Sequence, residues 1–222
     1  QLTESADGVI TRLREVQANR RQGGDARMPG PDELDGGVRE YARTFDKHAG
    51  GFGDAPKFPR PAELLFLLRE YARTGDDEAR HMVLETLRAM ALGGMRDHVG
   101  GGFHRYSVDA AWRVPHFEKM LYDQAQLVVA LLEASQASGD PTFRQVAEDT
   151  LSYVRRELSH ADGGFFSAED ADSIAPELAE QAGALKTEGA FYIWGQSEIE
   201  HVFAADSDVV RLRYGIEPGG NA

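Results

Sequence analysis

The sequence predicts an all-α chain whose helices pair into hairpins and stand side by side as part of an (α/α)6 toroid. Three observations predict it. Apolar residues recur at helical spacing almost from end to end. Helix pairs joined by short Gly/Asp turns alternate with longer glycine-rich loops. Each of those loops carries one triplet, Gly50-Gly51-Phe52, Gly101-Gly102-Phe103 and Gly163-Gly164-Phe165, its phenylalanines 51 and 62 residues apart. The repeat is therefore one hairpin plus a variable loop. Repeating hairpins bury their faces against neighbours, in a solenoid or a closed ring. The ring is favoured because the long loops fall at one end of the hairpins, and two of them, 93–114 and 161–189, are long enough to build a site. The triplet itself reads as turn chemistry, with glycine supplying positive φ and phenylalanine plugging the hairpin end.

In order, Val9, Ile10, Leu13 and Val16 mark an amphipathic helix that ends in the polar stretch Asn19–Asp25. With Met28-Pro29-Gly30-Pro31 this forms a linker, so residues 1–30 are a helix and interdomain linker and 31–222 an incomplete toroid domain. Leu34, Val38, Tyr41 and Phe45 share a face of the next helix, which Gly36-Gly37 weakens. Pro61 opens a helix with Leu64, Leu65, Leu68 and Tyr71 inside and a stop at Gly75. Asp76 caps the following one, which buries Ala79, Met82, Val83, Leu87 and Met90 and closes at Gly93-Gly94. Pro115 is expected to open the longest helix, carrying Met120, Leu121, Leu127, Val128 and Leu131 to Gly139. Asp140-Pro141 starts the next, with Phe143, Val146, Ala147, Leu151, Val154 and Leu158. Ser197 and Glu200 suggest a capping box before Ile199, Val202 and Phe203, and a last short helix spans 208–214. This amounts to about four hairpins where a closed ring needs six. The closing loop Pro218–Ala222 suggests a fragment.

Composition narrows function. A net charge of −13 over 222 residues argues against a nucleic-acid surface and against docking on anionic membranes. No apolar run approaches the ~20 residues of a spanning helix, and the first residues lack a signal-peptide pattern, so cytoplasmic residence is the expectation. With no cysteine there is neither thiol chemistry nor thiolate ligation. His98, His104 and His116 lack the i, i+4 spacing of a helical zinc site, so no metal and no cofactor is expected. The chain has no GxxxxGK[ST], GxSxG or GxGxxG.

Ionisable and aromatic groups are densest from His98 to Gln124. His116, placed in a first helical turn, would be kept neutral by the helix dipole and serve as a general base. The alternative is a hydrogen bond to a loop carbonyl. Glu118, between Phe117 and Met120, would have its pKa raised by burial into a useful acid/base range. Lys119 and Asp123 are four apart and would pair on the helix surface. His104 and Asp109 are supporting groups. Tyr106 or Trp112 would be a stacking platform for a sugar ring, with Phe103 nearby. Asp170 and Asp172, facing one way in an extended loop, are further substrate-binding candidates. Carboxylate pairs across a cleft are what glycoside chemistry uses.

Longer strings carry a resemblance. Residues 51–59 (GFGDAPKFP), 101–109 (GGFHRYSVD), 114–123 (VPHFEKMLYD), 167–173 (SAEDADS) and 188–194 (EGAFYIW) resemble the spermatogenesis-associated, YyaL-type thioredoxin-domain-containing family. The resemblance runs from about Leu2 to the end of the chain. It implies an N-terminal thioredoxin-like domain, absent here, followed by a six-hairpin toroid similar to N-acylglucosamine 2-epimerase and the six-hairpin glycosidases. By fold-level analogy it implies a domain binding or transforming a sugar or polyol. The rival expectation is a non-catalytic module that presents clients or partners to the thioredoxin-like domain of the same polypeptide. Oligomeric state is not legible in the sequence.

Overall fold

The computed structural model describes residues 2–22, 28–175, 178–181, 183–218 and 220. The chain divides into two compact units, Gln1–Gly37 and Val38–Ala222. In the first, helix α1 (Leu2–Gln22) continues past Asn19 and leaves Val9, Ile10, Leu13 and Val16 exposed. The linker residues 23–27 and the closing residues 219, 221 and 222 lie outside the described residues. Helix α2 (Pro31–Thr44) spans the boundary and stops short of Phe45, which bridges to Phe52.

The second unit holds two full-length hairpins. Helices α3 (Pro61–Thr74) and α4 (Asp77–Leu92) turn at Gly75, which adopts φ 75°, and at Asp76, whose carboxylate accepts from the Glu78 N–H. Helices α5 (Leu121–Ser138) and α6 (Pro141–Glu157) turn the same way at Gly139 and Asp140. Two short helices, α7 (Gln196–Phe203) and α8 (Ser207–Tyr214), follow. Four hairpins were expected, but only two are of full length. Helix α3 packs on α5, and α5 on α6, around a continuous core that includes Leu64, Leu67, Met82, Leu87, Met90, Leu127, Leu131 and Phe143. Leu151, assigned to the buried face of α6, is half exposed. The cap of α7 is Gly195, whose N–H donates to Glu198 at 3.3 Å, rather than Ser197.

The long loops are knitted by short antiparallel pairs. Strands β1 (Tyr106–Ser107) and β2 (Pro115–His116) pair with each other; β3 (Lys119–Met120) pairs with β4 (Ala168–Glu169), and β5 (Asp172–Ser173) with β6 (Thr187–Glu188). Lys57 also bridges to Ser107. Each long loop is thereby tied to the next. Residues 115–120 are thus extended and helix α5 begins at Leu121, not Pro115. Proline's lack of an N–H suits an edge pairing as well as a helix start. At 18 residues α5 is also shorter than the 21-residue α1.

The Gly-Gly-Phe loops repeat a three-dimensional device. Asp46, four residues before Gly50, accepts the His48 and Ala49 N–H groups on Oδ1. Its Oδ2 receives Lys57 Nζ at 2.5 Å, and Lys57 also donates to the Gly50 carbonyl at 2.8 Å. Asp97, four before Gly101, accepts from Val99 and Gly100. Lys119 Nζ joins Asp97 Oδ2 at 2.8 Å and the Gly101 carbonyl at 3.0 Å. Both lysine side chains are essentially fully buried, at 0% and 1% exposure. The bond from Lys57 holds the Asp46 carboxyl down at about 2. Burial pushes Asp97 up, but the Lys119 hydrogen bond and charge outweigh it and leave it below the usual carboxylate range. An aromatic ring covers each glycine pair, Trp112 on Gly51 and Tyr153 on Gly102. In the third loop Ser159 stands where aspartate would, nothing lies within 4 Å of a Cβ at Gly163 or Gly164, and Phe165 is 64% exposed.

The surface pair expected between Lys119 and Asp123 does not form, because Lys119 turns inward to Asp97. Asp123 is instead buried at 4% exposure, with its Oδ2 unpartnered. Burial pushes its carboxyl up to about 6, against the nearby Arg105 charge and reinforced by Glu118.

Two outcomes follow for stability. Ala at position 163 meets only its left-handed backbone (φ 92°), whereas Ala at 102 (φ 77°) also meets the buried Tyr153 ring at 2.5 Å. Gly163→Ala should cost about 1 kcal/mol and Gly102→Ala about 2–4 kcal/mol, read from urea midpoints; equal costs would remove the covering-ring account. Asp123, with its folded pKa above the ordinary carboxylate value of 3.8, contributes fully below that value and loses its contribution as pH rises through about 6. Asp123→Asn, which cannot ionise, should therefore gain over the parent by on the order of 1–2 kcal/mol at pH 8, with the gain vanishing near pH 4. A gain independent of pH would contradict it.

Candidate functional site

The extended segment 115–120 presents its side chains alternately. Pro115, Phe117 and Lys119 turn to one side, where the Phe117 ring meets His104 and Tyr192 and Lys119 is buried. His116 and Glu118 turn to the other, where their side chains are 23% and 24% exposed. Neither is enclosed.

His116 has no helix beneath it, so the dipole argument for its neutrality fails. Its ring is set by other contacts. Nδ1 lies 2.6 Å from Glu188 Oε1, and since a carboxylate can only accept, Nδ1 carries the proton in this pairing. Nε2 is left facing Glu118 Oε2 at 3.9 Å. The ring stacks on Tyr106 at 4.8 Å between centroids. Glu118 is not lodged between Phe117 and Met120. Arg105 donates to it at 2.5 Å, and the Arg105 backbone N–H donates to the Glu118 carbonyl at 2.8 Å. That ion pair replaces the apolar burial expected to make Glu118 an acid. The carboxyl raised by burial is Asp123, on the first turn of α5, beside both. The cluster is Arg105, His116, Glu118, Asp123 and Glu188, drawn from three stretches of chain.

The other candidates fall elsewhere. His104 is buried at 3% exposure, with Nδ1 on the Phe117 carbonyl at 3.1 Å. Burial and the Lys119 ammonium lower its pKa to about 4, so it is neutral at neutral pH. Asp109 holds the turn 109–114: burial pushes it up, but the Val114, Ala111 and Arg113 N–H groups and the Ser107 hydroxyl bond it and leave it lowered. Trp112 cannot serve as a stacking platform. It is 1% exposed, has φ 61°, and gives its indole N–H to the Gly50 carbonyl at 3.3 Å. Phe103 is fully buried. Tyr106 lies between Phe58 and His116, stacked at 4.8 Å on each, so both its faces are taken. The exposed aromatic of that stack is Phe58. The Asp170 carboxylate turns back to accept from the Asp172 N–H at 3.1 Å and from Lys186 at 3.3 Å. Asp172 is the cross-strand partner of Glu188 at the edge of the cluster. Arg105 and Glu188 were not picked out from the sequence, and Asp123 was read only as a surface partner of Lys119. Only their positions inside the strings 101–109, 114–123 and 188–194 could have drawn attention to them.

Comparison with known proteins agrees with this architecture. No protein-family profile matches the chain. The human protein named spermatogenesis-associated protein 20 is 47% identical over 191 residues, taking in 80% of this chain and 24% of its own length. The mouse protein of that name is 51% identical over 162 residues (71% and 20%). An uncharacterized Caenorhabditis elegans protein is 40% identical over 191 residues (80% and 26%). The chain thus spans about a quarter of the length of the curated relatives it matches. Among solved structures, a sugar epimerase from a ruminal bacterium aligns with TM-score 0.56 at 18% identity, covering 83% of this chain and 52% of that one. Cellobiose 2-epimerase from Bacillus thermoamylovorans aligns at 0.55 and 16% identity (63% and 40%). A D-mannose isomerase aligns at 0.52 and 12% identity (85% and 50%). These likenesses establish the fold as part of an epimerase-like (α/α)6 toroid. No described helix is long and apolar enough to cross a membrane. Over the segment they share, the chain is similar to spermatogenesis-associated protein 20 at 47–51% identity to the human and mouse proteins.

Proposed function

We propose that this segment binds a sugar or polyol on the face carrying His116 and Glu118 and transforms it by acid/base chemistry. The observation that carries the reading is the Glu188–His116–Glu118 arrangement. One carboxylate fixes the protonated Nδ1, and the free Nε2 faces a second carboxylate 3.9 Å away in a partly open position. An imidazole oriented in this way can take a proton at Nε2. Epimerising or isomerising a sugar at the carbon beside its carbonyl needs only that a proton be removed and then returned, to the other face or to the neighbouring carbon. No electrons leave the substrate, so this chemistry needs no redox partner. Arg105 holds Glu118 in place, and Asp123 lies beside both with a raised pKa. The names of the structural neighbours, sugar epimerases and a mannose isomerase, support the class but identify no substrate.

Incubation of the full polypeptide with a panel of reducing sugars in D2O, including N-acylglucosamine, mannose and cellobiose, tests this by NMR. We expect deuterium to enter beside the carbonyl of at least one sugar. His116→Asn should slow exchange by about 10²–10⁴-fold, the usual contribution of a positioned base, with Glu118→Gln also slower. An inert panel that also leaves the melting temperature unmoved would sink the proposal. The non-catalytic partner-binding module would then become the better reading; it requires Glu118→Gln to be silent while substitutions at a partner interface abolish binding.

A further inference from the structure

Behind the segment that carries His116 and Glu118 lies a cleft of about 570 Å3 that the sugar reading does not use. Pro115 and Phe117 line it, whereas His116 and Glu118 do not, as alternation along an extended chain requires. One wall is aromatic. Phe117 and Tyr192 stack at 5.3 Å, and Phe191 stands edge-on to Tyr192 at 5.2 Å. Ile193 and Trp194, 65% and 48% exposed, extend the apolar lining. The polar tips of this wall are already bonded, the Tyr192 hydroxyl to Glu169 at 2.5 Å and His104 to the Phe117 carbonyl. The wall therefore offers ring faces rather than donors.

The charged side chains around the cleft are not equally available. Arg96 is joined to Asp149 at 3.1 Å and Asp97 to Lys119 at 2.8 Å. Glu198 accepts the Gly195 N–H at 3.3 Å. The exposed His98 ring is bonded to the Gly93 carbonyl at 2.9 Å. Arg113 also lines the cleft, and its guanidinium makes no hydrogen bond or ion pair among the described residues. In a chain of net charge −13, this places a cation with no partner among the described residues beside an apolar, ring-lined cavity. A volume of this size is typical of small-molecule sites, and a guanidinium fork matches a carboxylate with two parallel hydrogen bonds. We propose that the cleft binds a small organic anion with an aromatic body, its ring against Phe117 and Trp194 and its carboxylate on Arg113.

Three probes of one shape and different charge test this by calorimetric titration of the full polypeptide at fixed ionic strength: phenylacetate, its neutral amide, and phenethylamine. Phenylacetate should bind about tenfold more tightly than the amide, the effect of one charge-assisted hydrogen bond, with phenethylamine weakest. Arg113→Gln should bring phenylacetate down to the level of the amide. Trp194→Ala should weaken the acid and the amide alike. Arg113 is exposed, so an unchanged melting temperature for Arg113→Gln separates lost binding from lost folding. Equal affinities for the three probes, tightest binding of phenethylamine, no binding at all, or an Arg113→Gln protein that keeps its preference for the acid would each overturn the proposal. None of these readouts depends on sugar turnover.

Discussion

Two lysine ammonium groups sit where water scarcely reaches them, each held by one aspartate carboxylate and one glycine carbonyl. A buried charge is costly unless it is paired and its remaining donors are used, so each lysine fixes its loop in one geometry. The loops need fixing because their glycine pairs carry positive φ and impose little themselves. The ring over each pair completes the clamp, with Lys57 Nζ 5.8 Å from the Trp112 centroid and Lys119 Nζ 4.3 Å from that of Tyr153. The third loop has no aspartate at the matching position and no covering ring, and its phenylalanine is correspondingly exposed.

What the clamps position is the extended segment 115–120. Lys119 anchors it from inside and pairing of Lys119 with Glu169 anchors it to the next loop, so alternation decides which side chains reach the open face. His116 and Glu118 emerge there because Phe117 and Lys119 are held on the other side. Glu188 reaches His116 because β6 pairs with β5, which follows β4 after a single turn. The candidate site is thus made by loop-to-loop pairing, with α5 supplying only Asp123.

Local signals carried the helices well. Periodicity and caps located α3, α4 and α6 because those signals act within one turn of chain. They misled at Pro115, where a residue suited to a first helical turn sits in an edge pairing settled by Tyr106 and Ser107, about ten residues away. They misled again at Lys119, where the i, i+4 aspartate was the visible partner and the true one, Asp97, stands 22 positions earlier. The recurrence of aspartate four residues before two Gly-Gly-Phe triplets was present in the sequence and would have pointed to it. Trp112 and Phe103 read as stacking candidates because aromatic residues in glycine-rich loops look exposed; their burial depends on contacts with distant turns. Glu188 could not be joined to His116 without the β5–β6 register.

The central claim is that these clamps are cooperative units, and a double-mutant cycle on Lys119 and Asp97 tests it most directly. Lys119→Met or Asp97→Asn alone leaves a buried group without its partner, and each should cost about 3–5 kcal/mol by chemical denaturation. The account predicts that the double variant costs at least about 2 kcal/mol less than the sum, a coupling within the range for residues in one network. Additivity within about 0.5 kcal/mol would contradict it, and the loops would have to be held by something other than the buried lysines.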